Sequence, residues 1–112
     1  MTVTDTPLKV VLAGDDTEGV ARALDAVGAE VVRVEGSATR RSLSEAGIDD
    51  ADVLLLTDMA DATAISVAKD ANPGLRVVTY ATDSLPEFAR AQADLALDPA
   101  LFSPDLVAEE LG

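Results

Sequence analysis

The chain has 112 residues, enough for one domain, and 48% of them are hydrophobic, enough to bury a core. Aromatic residues are only 3%, so that core must be built from Val, Leu, Ile and Ala. Cysteine and histidine are absent and the net charge is −13, which excludes disulfides, thiolate or imidazole catalysis and zinc sites of the usual kind, and sets the chain against nucleic acid.

The 21 acidic residues are spread along every segment, the mark of a solvated acidic surface that keeps a protein soluble; a cationic partner or a metal is the alternative use. The start, MTVTDTPLK, lacks an apolar signal core, and no apolar run approaches the ~20 residues of a membrane span. The expectation is a cytoplasmic protein with no membrane insertion and no nucleic-acid partner.

Residues 1–7 read as a frayed lead-in to a single domain over 1–112. Residues 8–13 form an unalternating apolar run, which suits a central parallel strand covered on both faces. Gly14 ends it. Asp16 or Thr17 can cap a helix whose apolar positions are Val20, Ala23, Leu24 and Val27, and Gly28 stops that helix. Residues 30–34 make a second strand, which Arg33 marks as an edge. A turn at residues 35–37 leads to a short helix over 39–46. Residues 53–57 are the most apolar strand, with Asp58 just past its carboxyl end.

A helix over 59–71 is stopped by Asn72-Pro73-Gly74. Residues 76–80 are the fourth strand. Asp83 or Ser84 caps the next helix, with Pro86 in its first turn and Leu85, Phe88 and Ala89 on one face. Residues 95–97 are the fifth strand. Ser103 caps the last helix, Pro104 starts it, and Leu106, Val107 and Leu111 are expected to face inward. Five strands alternating with five helices predict a three-layer α/β fold of the Rossmann-like or flavodoxin-like kind. Its five-stranded parallel sheet has order 2-1-3-4-5, with helices on both faces.

Such folds bind ligands at the carboxyl ends of the strands, where the order reverses, here above Gly14 and Thr57-Asp58. Three constellations meet there. Gly14-x-x-x-x-Gly19 matches two glycines of a dinucleotide turn, the first for the tight bend and the second for close helix-strand packing. Asp16 stands where the middle glycine would admit a pyrophosphate. Glu35, about 20 residues on, is placed to bind ribose hydroxyls. Asp15, Asp16 and Asp58 could hold a hard cation such as Mg²⁺ through oxygen ligands; ordinary capping and surface acid are the alternative. Thr57, Asp58, Asp61 and Thr63 open a helix, where they could serve a ligand or simply cap.

Residues 42–83, SLSEAGIDDADVLLLTDMADATAISVAKDANPGLRVVTYATD, resemble the nucleotide-binding domain of potassium-transport regulators, the TrkA-N or RCK family. The shared features are an EAGI-acid run entering an apolar strand, a threonine with an acid-rich loop, a helix ending near N-P, and an L-R-V strand. The resemblance implies binding of NAD(H) or an adenine nucleotide, with Gly14, Gly19, Glu35 and Thr57 the positions that carry over, regulation of a protein partner, and a homodimer; Asp16 and Asp58 complete the candidate cofactor site. The chain departs from that family at Asp16 and lacks one strand-helix unit.

Asp15-Asp16, Asp58 and the run ADLALDPALFSPDLVAEEL over residues 93–111 are similar to a phosphoacceptor receiver domain. The lysine such domains require before the proline is Asp98 here. The chain also resembles short proteins of extreme halophiles sometimes labelled CTP synthetase, but it has neither a glutaminase cysteine or histidine nor a GK[ST] loop. The expected function is a non-enzymatic regulatory module that binds a nucleotide at the Gly14–Gly19 turn. The alternatives are a degenerate receiver or cation-binding signalling domain using Asp15, Asp16 and Asp58, and an interaction subunit without a small ligand.

Overall fold

The computed structural model describes residues 7–16, 18–34, 36–58, 61–81 and 92–111. Strands β1 (Lys9–Ala13), β2 (Glu30–Arg33), β3 (Val53–Leu56), β4 (Arg76–Tyr80) and β5 (Leu95–Leu97) form one sheet. Helices α1 (Val20–Ala26), α2 (Arg40–Glu45), α3 (Ala64–Ala71) and α4 (Pro104–Leu111) follow four of the strands. The sheet order is β2-β1-β3-β4-β5 and every pairing is parallel, as the alternation of apolar runs predicts. The helix expected from Asp83 or Ser84 lies outside the described residues.

Side-chain alternation along the strands divides the core in two. Val10, Leu12, Val53 and Leu55 face one side with Val20 and Leu24 of α1 and Val107 and Leu111 of α4. Val11, Ala13, Leu54 and Leu56 face the other with Leu43 of α2 and Ile65 and Ala68 of α3. All four residues of β3 are buried, whereas β2 is exposed at both ends, as an edge strand interrupted by Arg33 should be. Each Leu or Val removed from water here contributes about 2 kcal/mol. The near absence of aromatics leaves that burial to many small side chains.

The helices agree with the sequence pattern, with three differences. The segment expected as one helix over 59–71 is regular only from Ala64; the Asp61 amide bonds the Asp58 carbonyl in a turn before it. Val27 is 51% exposed, because α1 closes at Ala26 and Val27 is its cap. Leu106 is 47% exposed, and Ala108 takes its expected place in the core. The apolar positions 107, 108 and 111 already complete one face of that two-turn helix, so Leu106 falls outside it.

The amino ends of the sheet carry a repeated device. Ala51-Asp52 precedes β3 and Ala93-Asp94 precedes β5. The Asp52 carboxylate accepts the Lys9 amide of β1 at 2.9 Å, and the Asp94 carboxylate accepts the Val77 amide of β4 at 2.7 Å. Each aspartate clips its strand to the neighbour and sets the register. Asn72 ties the end of α3 to this end of the sheet, donating to the Ile48 and Ala51 carbonyls.

Candidate functional site

The carboxyl ends of β1 and β3 bring two of the three constellations together. The Thr57 amide bonds the Ala13 carbonyl at 2.9 Å, and the Thr57 hydroxyl donates to the Asp15 carbonyl at 2.7 Å. Gly14, Asp15, Asp16, Thr57 and Asp58 therefore meet at the predicted crevice. Glu35 and Thr17 lie outside the described residues, so the ribose contact expected of Glu35 has no geometry here.

Gly14 has φ +106°, and a Cβ built on it would meet the Thr57 Oγ1 and come within 2.9 Å of the Asp58 amide nitrogen. The glycine is needed because the loop after β3 crosses directly over it. Gly19 differs from expectation. A Cβ there would meet nothing within 4 Å, so close packing on the strand is not its purpose; its φ of +82° at the start of α1 is.

Asp16 decides the electrostatics of the turn. Its Oδ1 accepts the Val20 amide at 2.7 Å and its Oδ2 accepts the Ala21 amide at 3.1 Å. Those are amino-terminal N–H groups of α1, the groups that would cradle a phosphate in a dinucleotide turn. The carboxylate takes them itself, so the turn carries its own anion. This orientation also draws Asp16 away from a cation cage. Among the described residues no group of three Asp or Glu side chains is placed to hold a metal ion, so the trio Asp15, Asp16 and Asp58 does not form one.

Asp61 and Asp98 are likewise engaged. Asp61 accepts the Ala38 amide at 3.4 Å, linking the loop before α3 to the loop before α2. Thr63 occupies the N-cap position of α3 without a side-chain cap bond. At the end of β5, the Asp98 carboxylate accepts the Ala100 amide at 2.9 Å, and its carbonyl accepts the Leu101 and Phe102 amides.

Both lysines of the chain lie at the opposite end of the sheet. Lys9 opens β1, and Lys69 pairs with Asp94 before β5 at 2.9 Å. An open groove between α1 and α4 begins beside Asp16 and Glu18 and reaches Pro104 and Asp105.

Sequence reasoning passed over Tyr80, the last residue of β4. It is 2% exposed, and its hydroxyl donates to the Phe102 carbonyl at 2.6 Å. Burial raises its pKa above the ordinary value, and the nearby carboxylates of Glu18 and Asp16 add to the rise. The signal was available, because Tyr80 is the chain's single tyrosine at the carboxyl end of a strand.

A five-stranded parallel sheet of order 2-1-3-4-5 defines the flavodoxin-like class of fold, which CheY-type receiver domains share. The chain belongs to the family of unknown function DUF7126, whose model matches residues 10–111.

Three solved structures share the fold. An orphan response regulator of H. pylori aligns with a TM-score of 0.72 at 15% identity, covering 92% of both chains. An atypical orphan response regulator, described as having a phosphorylation-independent regulatory mechanism, aligns at 0.71 and 16% identity, covering 93% of this chain and 92% of its own. A CheY-like receiver domain from Methanospirillum hungatei JF-1 aligns at 0.68 and 19% identity, covering 94% and 90%. No curated protein matches by sequence.

In fold, these likenesses lie with receiver domains and not with the potassium-transport regulators. The order β2-β1-β3-β4-β5 is that of the receiver fold, and a complete dinucleotide fold would carry a further strand beyond β2, giving 3-2-1-4-5-6. Among the described residues, no helix is long and apolar enough to cross a membrane.

Proposed function

We propose that the chain is a receiver-like regulatory module that acts by protein contact and does not depend on phosphorylation or on a bound nucleotide. The observation that carries this reading is the Asp16 carboxylate on the Val20 and Ala21 amides. A phosphate brought to this turn would face a resident negative charge on the amides it needs. Phosphoryl transfer to Asp58 would also need a cationic clamp for the charge that develops. Asp98 stands where receivers place that lysine, and Lys9 and Lys69 lie at the other end of the sheet. The phosphorylation-independent mechanism of one structural neighbour supports the same reading.

Incubation with acetyl phosphate and Mg²⁺, followed by intact mass, tests it. The expected spectrum is that of the unmodified chain. A phosphate adduct mapped to Asp58 would overturn the proposal. Calorimetric titration with NAD(H), ATP, ADP and CTP at high salt is expected to give no binding heat, and saturable binding lost in a Gly14→Ala variant would restore the nucleotide reading.

A further inference from the structure

We infer that the junction between β5 and α4, residues 98–106, is a docking surface for a protein partner that offers an apolar pocket ringed by lysine or arginine. The inference rests on the contact-based reading above and names the chemistry of the partner.

Leu101 is 74% exposed at the tip of this junction, and Leu106 is 47% exposed in the first turn of α4. Isolated exposed leucines are common, but this one is held in place. The Asp98 carbonyl accepts the Leu101 and Phe102 amides, both at 2.9 Å, and the Asp98 carboxylate accepts the Ala100 amide. Pro99 fixes the backbone between them. The next residue, Phe102, packs partly into the core, and its carbonyl is fastened by Tyr80. The neighbours therefore point opposite ways, Phe102 as the anchor and Leu101 as the projecting side chain. An apolar group ordered before contact loses little freedom on binding, which is what a binding hot spot needs.

Charge selects the occupant. From residue 91 to the end the chain has no lysine or arginine. Glu109 and Glu110 lie three and four positions after Leu106, hence beside it on the helix surface, and Asp98 and Asp105 flank the two leucines in sequence. A second copy would set one acidic ring against another, a like-charge contact that opposes association at low salt. A basic rim around an apolar centre satisfies both features.

The test uses three helical peptides of equal length, one with a leucine face and lysines around it, one Ala/Lys and one Leu/Glu, titrated into the isotopically labelled chain. The Leu/Lys peptide is expected to shift the amides of residues 98–106. Its Kd should weaken at least tenfold in Leu101→Asp, which keeps its fold by circular dichroism because the side chain is in solvent. Val27→Asp, at the exposed cap of α1, should leave Kd unchanged.

Equal binding of the Ala/Lys peptide, equal loss in Val27→Asp, or shifts centred elsewhere would overturn the inference. So would a dimer in light scattering that Leu101→Asp dissolves, which would assign the surface to a second copy. A phosphate adduct on Asp58 would overturn the preceding reading without altering the peptide result, so the two failures are distinguishable.

Discussion

The hydroxyl of Tyr80 donates a 2.6 Å hydrogen bond to the carbonyl of Phe102, fastening the end of β4 to the loop that follows β5. Tyr80→Phe leaves that carbonyl without its donor and should cost about 1 kcal/mol in urea unfolding. In the peptide titration the same variant should broaden the amides of residues 98–103, because the loop loses one of its fastenings.

The chain has one tyrosine and no tryptophan, so phenolate absorbance reports on Tyr80 alone. Burial first, then Glu18 and Asp16, raises its pKa above the unfolded value of about 10. A raised folded value means that the stability is fully present below pH ~10 and is lost as pH climbs through the folded value. The absorbance midpoint should therefore lie above 10, with the unfolding midpoint falling over the same interval. A midpoint at the free-tyrosine value would refute the burial of the hydroxyl.

Asp16→Ala removes the acceptor from two α1 amides and should destabilise the chain by about 1–2 kcal/mol. Asp15→Ala, at an exposed position with no such role, should change stability by less than about 0.5 kcal/mol. Thermal unfolding of the pair separates a capping role from a general charge effect.

Gly14→Ala meets two obstacles at once, a φ of +106° and the Thr57 hydroxyl in the space a methyl would need. The strain alone is about 1–2 kcal/mol, and the clash adds to it. Gly14→Ala combined with Thr57→Ser should not recover, because the Ser hydroxyl stays in the way. Combined with Thr57→Ala it should recover in part.

Asp94 is held below the usual carboxylate range chiefly by the Val77 amide and then by Lys69. A depressed folded pKa contributes stability above the unfolded value of about 4, and that stability is lost as pH falls through the folded value. Asp94→Asn should flatten the acid limb of the stability curve below pH ~4. The overall charge of −13 works in the opposite sense at neutral pH, through self-repulsion. The unfolding midpoint should rise as KCl goes from about 0.1 M to about 1 M, where the screening length shortens from about 10 Å to about 3 Å.

The sheet was legible because its strands announce themselves. Val53–Leu56 is apolar on both faces, which suits a central parallel strand, and Arg33 marks an edge. The carboxyl-end crevice followed from that order. The roles of single residues within it were harder to read. Spacing offered Asp16 or Thr17 as the cap of α1, and Asp16 does cap it, but spacing could not say that both carboxylate oxygens are taken by the helix amides, because that depends on the direction of one side chain.

Gly19 looked like a packing glycine because the dinucleotide motif assigns it that role, whereas here backbone conformation alone requires it. Leu106 looked inward because three apolar residues at 106, 107 and 111 fit a helix face. Ala108, a small residue with a weaker hydrophobic signal, fits it better.

The carboxylate on α1 has one more property. It is tethered four residues from the first amide it accepts, so it is always present at an effective concentration of about millimolar or more. A free anion competing for those amides must outbid a neighbour that cannot diffuse away. Swings in the phosphate or nucleotide content of the surrounding solution would therefore leave this turn unmoved.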